Sequence, residues 1–380
     1  MIEVFFWILV CAILYVYVGY PLLLIILSSL KSSPVRSVNS NIKPTVSLLI
    51  AAYNEERNIY RKIENSLEID YPKNKMEIVV VSDSSDGTND IVRQYETSGV
   101  RLIVPEERGG KISAQNYAIP QLKGEIIIIT DADTNCERGS VRYLVKHFLD
   151  EKVGCVVAKI DWSNKDFNVI TQGGNLYYNY ELFIRGKESN LGILGLGSTG
   201  LMGFPKKLFT PIPPFLAEDT FLPLHFLQNN YRVVYEPGSI AITTSPYNVE
   251  GEFRIRERNA NIDTSALIYM KSLLNPFRHF MPSLMLISHK LGRWLIPFLM
   301  IPLFYINILL LGTPIYNLLF TLQLIFYSLS ILGLILSLMN THVKYLNIPY
   351  YFCLINFAAA AGFVKAILGR RQTMWEPVRS

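Results

Sequence analysis

Glu125-Ile126-Ile127-Ile128-Ile129-Thr130-Asp131-Ala132-Asp133-Thr134 decides the fold. A continuous β-branched run bounded by polar residues reads as a strand buried on both faces, the habit of parallel sheets. Two carboxylates then emerge where that strand meets solvent. Open α/β sheets collect ligands outside the carboxyl ends of their strands. A carboxylate there can hold a hard divalent cation against a diphosphate, because magnesium-type ions take oxygen ligands and need only one or two from protein. For an isolated Asp-x-Asp, a solvated turn after a core strand is the plainer reading. The rest of the chain has to decide.

Outward from this strand, strand-like and helix-like stretches alternate. Thr45–Ala51, Glu77–Ser82 and Val100–Val104 read as strands, and the stretches near Glu55–Leu67, Thr88–Ser98 and Lys111–Gln121 as helices. Such alternation predicts an α/β domain with a mostly parallel sheet. The strand ends are polar in ways that suit a nucleotide. Ala51 and Ala52 are small enough to admit a base, Tyr53 can stack on it, and Asn54, Glu55 and Glu56 can accept its hydrogen bonds. Asp83 can accept from a ribose hydroxyl or a uracil N3, while Asp86 or Thr88 reads as the cap of the next helix. Arg108-Gly109-Gly110-Lys111 sets a cation beside a flexible turn at a helix start.

Half of the 380 residues are hydrophobic and only 18% are charged, and the apolar excess sits at the two ends. Val4–Leu30 carries no charge, long enough at about 1.5 Å per residue to cross a bilayer core of about 30 Å. Glu3 in place of a basic residue, the length and the lack of a small-residue cleavage site make this an anchor, not a signal peptide. Trp294–Gly312, Leu318–Met339 and Ile348–Leu368 are further stretches able to span. Lys31, Arg36 and Lys43 on one side, and Arg278, Lys290 and Arg293 on the other, place residues 31–293 in the cytoplasm by the positive-inside rule. Three C-terminal spans would then leave Arg370, Arg371 and Arg379 outside, so the third stretch is expected to be re-entrant or interfacial.

Cys11, Cys136, Cys155 and Cys353 form no Cys-x-x-Cys or Cys/His cluster, which speaks for packed thiols and against zinc or a disulfide framework. The net charge of +5 is modest and no Lys/Arg run suggests nucleic acid. The basic residues gather at the membrane boundary, where anionic headgroups are the natural partners.

Ala51-Ala52-Tyr53-Asn54-Glu55-Glu56, Asp70-Tyr71-Pro72, Val81-Ser82-Asp83, Asp86-Gly87-Thr88, Glu107-Arg108-Gly109-Gly110-Lys111 and Thr130-Asp131-Ala132-Asp133 resemble, in order and spacing, the successive motifs of membrane-bound family 2 glycosyltransferases, the group of cellulose, hyaluronan and poly-N-acetylglucosamine synthases. The similarity continues through Gly197-Ser198-Thr199-Gly200, Ala217-Glu218-Asp219-Thr220, Tyr231–Pro237 and Ser288–Trp294. It implies a GT-A fold, a nucleotide-sugar donor, most plausibly a UDP-sugar, and Mg2+ or Mn2+. It further implies that Asp133 binds the metal with Asp131 beside it at the ribose or donor sugar, and that Ala51, Tyr53, Glu55, Asp83 and Lys111 belong to the donor site. Asp219 is then the general base of an inverting transfer, Glu218 and Gly200 lie toward the acceptor, and Arg258 grips the departing diphosphate. Glu252–Asn259 stands where processive relatives carry Gln-x-x-Arg-Trp. Ile255 and Asn259 replace the glutamine and the tryptophan, which argues for few additions per acceptor.

The expected organisation is an anchor over 1–30, a linker over 31–43, a glycosyltransferase domain over 44–265, interfacial helices over 266–293, membrane helices over 294–369 and a tail over 370–380. Arg254 and Arg256 are candidates for headgroup contact, Arg293 and Trp294 for boundary anchors, and His279 and His289 for structural or headgroup roles. The glycine-rich Leu191–Phe204 suits a floor for an acceptor sugar, since missing side chains admit a ligand close to the backbone. The expected activity is sugar transfer to a glycan or lipid-linked acceptor at the membrane, in exopolysaccharide or cell-envelope glycan synthesis, with single-sugar transfer to a lipid carrier, a non-catalytic scaffold or a transporter as rivals.

Overall fold

Neighbouring residues of the same strands enter opposite hydrophobic cores: Leu49, Val79, Val81, Ile127 and Ile129 pack on one face of the sheet, and Leu48, Ile50, Val80, Ile126 and Ile128 on the other. This is why the quoted strand is apolar without alternation. The computed structural model describes residues 1–30, 43–162, 169–195, 200–243, 249–339, 341, 343 and 346–370. Nearly all of the expected linker, the motif residues Gly197, Ser198 and Thr199, and Arg371 and Arg379 lie outside them.

Strands β1 (Val46–Ala52), β2 (Met76–Ser82), β3 (Val100–Ile103) and β4 (Ile126–Asp131) form parallel ladders, β1 lying between β2 and β4. β5 (Asn135–Cys136), β6 (Val153–Trp162), β7 (Met202–Pro205) and β8 (Arg232–Thr243) complete an eight-stranded sheet in the order β3-β2-β1-β4-β7-β6-β8-β5. β7 runs antiparallel to both β4 and β6, and β5 antiparallel to β8, so the sheet is mixed, parallel from β1 to β4 and again between β6 and β8.

Eleven helices are used below. They are α1 (Ile2–Leu30), α2 (Ile59–Leu67), α3 (Thr88–Arg93), α4 (Gly110–Ala118), α5 (Ser140–Val145), α6 (Val169–Leu191), α7 (Glu218–Gln228), α8 (Val249–Tyr269), α9 (Phe280–Leu309), α10 (Pro314–Leu338) and α11 (Asn347–Ile367). α2 begins later than the sequence suggests because Asn54, at φ 52°, first turns the chain sharply after β1.

α1, α9, α10 and the segment Ile348–Ile367 are long and apolar enough to cross a membrane. α1 contains a π-helical turn at Tyr15–Gly19 and α9 another at Leu286–Leu291. Helix α9 runs unbroken through residue 293, across the expected boundary between interfacial helices and the first C-terminal span. The apolar run simply starts earlier, at Phe280. α11 differs from the others, with 39% of its apolar window buried against 11% for α10. It lies along α8, where Tyr351 Oη donates to Glu252 Oε1 at 2.6 Å and Lys365 pairs with Glu257 at 2.6 Å. Gly362 makes this approach possible, because a Cβ there would stand 2.1 Å from the Glu257 carbonyl oxygen.

α6 accounts for several departures from expectation. It brings Glu181 and Glu188 against α1 and α9, where they gather basic residues that read from sequence as boundary groups. Arg293 is buried, pairs with Glu181 and lies 5.1 Å from the Tyr180 ring, and Trp294 is buried beside it. Neither is a headgroup anchor. His289 bridges Glu188 (2.7 Å) and Glu181 (3.3 Å), and Tyr20 Oη of α1 donates to Glu188 at 2.8 Å. Burial works against Glu181, but Arg293 and His289 hold its carboxyl well below the usual range. Arg256 likewise turns inward, to Glu252 at 2.9 Å and over the Tyr177 ring, while Arg254 stays exposed with Glu250.

Candidate active site

At the carboxyl ends of β1, β2 and β4 a cleft open to solvent, with about 390 Å³ of empty space, is lined by Ala51, Tyr53, Glu55, Asp83, Lys111, Asp131 and Asp133, among others. The loops that shape it are interlocked. Asn54 N donates to Ser84 Oγ (2.8 Å), Ser85 N to Asn54 Oδ1 (2.9 Å), and Glu55 N to Thr88 Oγ1 (2.8 Å), so the loops after β1 and β2 form one rim. Asp86 accepts from Thr88 N at 3.0 Å just ahead of α3, whose N-cap position is taken by Gly87 with no side-chain cap. The Arg108 guanidinium lies 4.2 Å over the Tyr53 ring.

Gly110 adopts φ 77°, a region costly for residues with a Cβ, and its N–H donates to Asp83 Oδ2 at 3.3 Å. This turn delivers Lys111 into the cleft. Lys111 Nζ lies 2.5 Å from Asp131 Oδ1 and 2.6 Å from Glu218 Oε1, joining the end of β4 to the start of α7. Burial disfavours its ammonium, but Asp131 and Glu218 outweigh that and hold its pKa above the ordinary lysine range. Asp131, mostly buried, is pushed up by desolvation and drawn back by Lys111. Asp133 stays exposed at the mouth.

Asp219 follows Glu218 on α7 and adjoins the cleft without lining it. Burial, then the negative charges of Glu218 and Asp263, push its carboxyl up to about 7, with Lys111 opposing. The Thr220 hydroxyl donates to Asp263 Oδ1 at 3.0 Å. Arg258 on α8 exerts its charge on both Asp219 and Asp131. Gly200 lies behind the Asp131–Asp133 turn, its carbonyl accepting from Thr130 Oγ1 at 2.8 Å. The fold therefore brings Ala51, Tyr53, Glu55, Asp83, Lys111, Asp131 and Asp133 together in one cleft, ties Glu218 to it through Lys111, and leaves Asp219 and Arg258 next to it but outside its lining. Two residues were missed: Asp263, and Lys62, which is only 1% exposed beneath Thr130. Lys62 shares a helical face with Ile59, Ile63 and Ser66, a spacing that could have flagged it as buried.

Among the described residues no group of three or more His, Cys, Asp or Glu forms a ready-made metal site. An exposed Asp133 with Asp131 behind it instead suits an ion that takes one or two protein carboxylates and completes its shell from phosphate and water.

Residues 47–210 match the sequence profile described as glycosyl transferase family 2. A β-monoglucosyldiacylglycerol synthase of Trichormus variabilis is 31% identical over 157 residues, covering 40% of this chain and 34% of the relative. A poly-β-1,6-N-acetyl-D-glucosamine synthase of Staphylococcus aureus is 24% identical over 238 residues, covering 60% and 57%. The chain thus spans between about a third and just over half the length of the curated relatives it matches. A mannosyltransferase from Pyrobaculum calidifontis, solved with GDP-mannose and Mn2+, superimposes over 97% of this chain and 100% of its own with a TM-score of 0.67 at 21% identity. Sheet order, strand-end cleft and sequence match make residues 47–210 a family 2 glycosyltransferase domain of GT-A fold, carried by a chain with long apolar helices on both sides of it.

Proposed function

We propose that this protein is an inverting, metal-dependent glycosyltransferase that moves a sugar from a nucleotide-sugar donor, a UDP-sugar first of all, to a glycan or lipid-linked acceptor at the cytoplasmic face of a membrane. The observation that carries the reading is Lys111, which ties Asp131 of the donor cleft to Glu218, the immediate neighbour of Asp219. Donor and acceptor chemistry thereby share one buried ion pair network.

In this reading the base stacks on Tyr53 beside Ala51, with Glu55 and Asp83 accepting from base and ribose, and Arg108 is poised to close over it. Bound Mg2+ or Mn2+ would be held by Asp133 with Asp131 and supplies charge neutralisation for the diphosphate leaving group. Asp219 accepts the proton of an acceptor hydroxyl, whose oxygen attacks the anomeric carbon as the bond to the diphosphate breaks on the opposite face. Arg258 holds the departing diphosphate, and Glu218 and Gly200 position the acceptor.

The membrane setting is supported by four candidate spans, and an interior orientation by the exposed Lys271 and Arg278 next to α9. Relatives include both a glucosyl-diacylglycerol and a polysaccharide synthase. Ile255 and Asn259, in place of the processive motif, favour few additions to a lipid-linked acceptor within that pair. The test is incubation of purified protein or membranes with labelled UDP- and GDP-sugars and Mg2+ or Mn2+, followed by sizing of the product. A glycolipid of discrete mass supports single transfer, a long lipid-free polymer supports processive synthesis, and absence of nucleoside diphosphate release overturns the enzymatic reading in favour of a scaffold.

A further inference from the structure

Lys62 has no place in the reaction described above, yet it is the most thoroughly buried lysine near the cleft, at 1% exposure. Its ammonium donates to Thr130 Oγ1 at 2.8 Å and to the Thr134 carbonyl, and stands 3.8 Å from Cys136 Sγ. Those two oxygens bracket Asp131-Ala132-Asp133. Thr130 Oγ1, while accepting from Lys62, donates to the Gly200 carbonyl at 2.8 Å. One ammonium therefore fixes both ends of the turn that presents the carboxylates, and reaches the glycine-rich segment through a single hydroxyl. A lysine in so dry a place is costly unless its donors are used, and here they are used on backbone and hydroxyl oxygens, not on a carboxylate.

We propose that Lys62 is a positioning residue for the metal turn: it sets the separation and direction of Asp131 and Asp133 and couples that turn to Gly200 on the acceptor side. The inference rests on the reading of Asp131–Asp133 as metal-binding. It has a distinctive sign. As a mere counter-charge, Lys62 would weaken cation binding, and its removal would tighten it. As the holder of the turn, its removal loosens binding, because partners behind a metal ligand typically contribute about 10- to 100-fold in affinity.

Mn2+ binding to the purified full chain, saturated with the nucleoside diphosphate released in the donor assay, is followed by electron paramagnetic resonance for wild type, Lys62→Met and Thr130→Val. Thermal unfolding is recorded in parallel. The expected result is a Mn2+ dissociation constant raised about tenfold or more in Lys62→Met and raised by a smaller factor in Thr130→Val, with metal-free nucleotide affinity unchanged. Unchanged or tighter Mn2+ binding in a folded Lys62→Met overturns the proposal. If that variant does not fold, Thr130→Val decides, and binding equal to wild type overturns it. Wild-type protein that releases nucleoside diphosphate but takes up no Mn2+ overturns the metal reading and this inference together. Wild-type binding with unchanged variants overturns only the role of Lys62.

Discussion

Replacing Asp219 by Asn should cost activity and add stability, and both follow from the same burial. The Asp219 carboxyl is raised from 3.8 to about 7 by desolvation and by Glu218 and Asp263. Between those values the folded protein keeps a proton that the unfolded chain has released, so stability falls as pH rises through the window. At about 1.36 kcal/mol per pKa unit, full ionisation above pH ~7 costs at most about 4 kcal/mol. The amide of Asp219→Asn carries no such charge, so the variant should unfold at a higher temperature than wild type. The gap should be smaller near pH 5 than at pH 8, by several degrees for a chain of this size, since about 1 kcal/mol moves the midpoint by roughly 2–4 °C. Turnover should fall by about 10²–10⁴-fold, the usual contribution of a positioned base. Wild-type turnover should climb with pH toward a plateau above about 7, as the base ionises. Thermal unfolding in detergent across pH 5 to 9, paired with a nucleoside diphosphate release assay, reads both. Turnover within tenfold of wild type would refute the base assignment, and a melting gap independent of pH would refute the buried, raised carboxyl.

Lys111→Met leaves Asp131 and Glu218 facing each other without their shared cation, so unfolding free energy should drop by about 3–5 kcal/mol, measured by denaturant titration, with turnover lost alongside. Chelation with EDTA should abolish nucleoside diphosphate release and leave the thermal midpoint of the nucleotide-free protein unchanged, since among the described residues no cluster of three protein ligands is there for an ion to hold together. Gly362→Leu drives a side chain against the Glu257 carbonyl and Ala260, and should destabilise by about 1–3 kcal/mol or more. Lower turnover is expected too, because Arg258 adjoins that contact. Unchanged melting would show that α11 does not rest on α8.

The parallel half of the sheet was legible because Ile126–Ile129 and Val79–Val81 are apolar without alternation, and only a strand covered on both faces asks for that. The cleft was legible because strand-end loops carry their ligands close in sequence to the strands that aim them. What escaped was pairing over distance. Glu181 and Glu188 sit on a helix interrupted by glycine and tyrosine, with no clear apolar stripe, and nothing local says that Arg293 and His289 will turn inward to meet them. Arg256 was ambiguous because its neutralising partner Glu252 lies one turn away on α8, whereas the groups that turn it inward, Tyr177 and Tyr351, come from α6 and α11. Lys62 shares the buried helical face of Ile59 and Ser66, but nothing local to that helix says that its ammonium will meet Thr130, 68 positions away.

The close bed of α11 along α8 also bears on how the protein is made. Asn261 Nδ2 donates to the Gly362 carbonyl across a separation of 101 positions in the chain. The helix bearing Arg258 therefore leaves the ribosome well ahead of the surface that covers it, with the long apolar helices α9 and α10 made in between. Until then its inner stripe is bare, a stage at which a chaperone has something to hold.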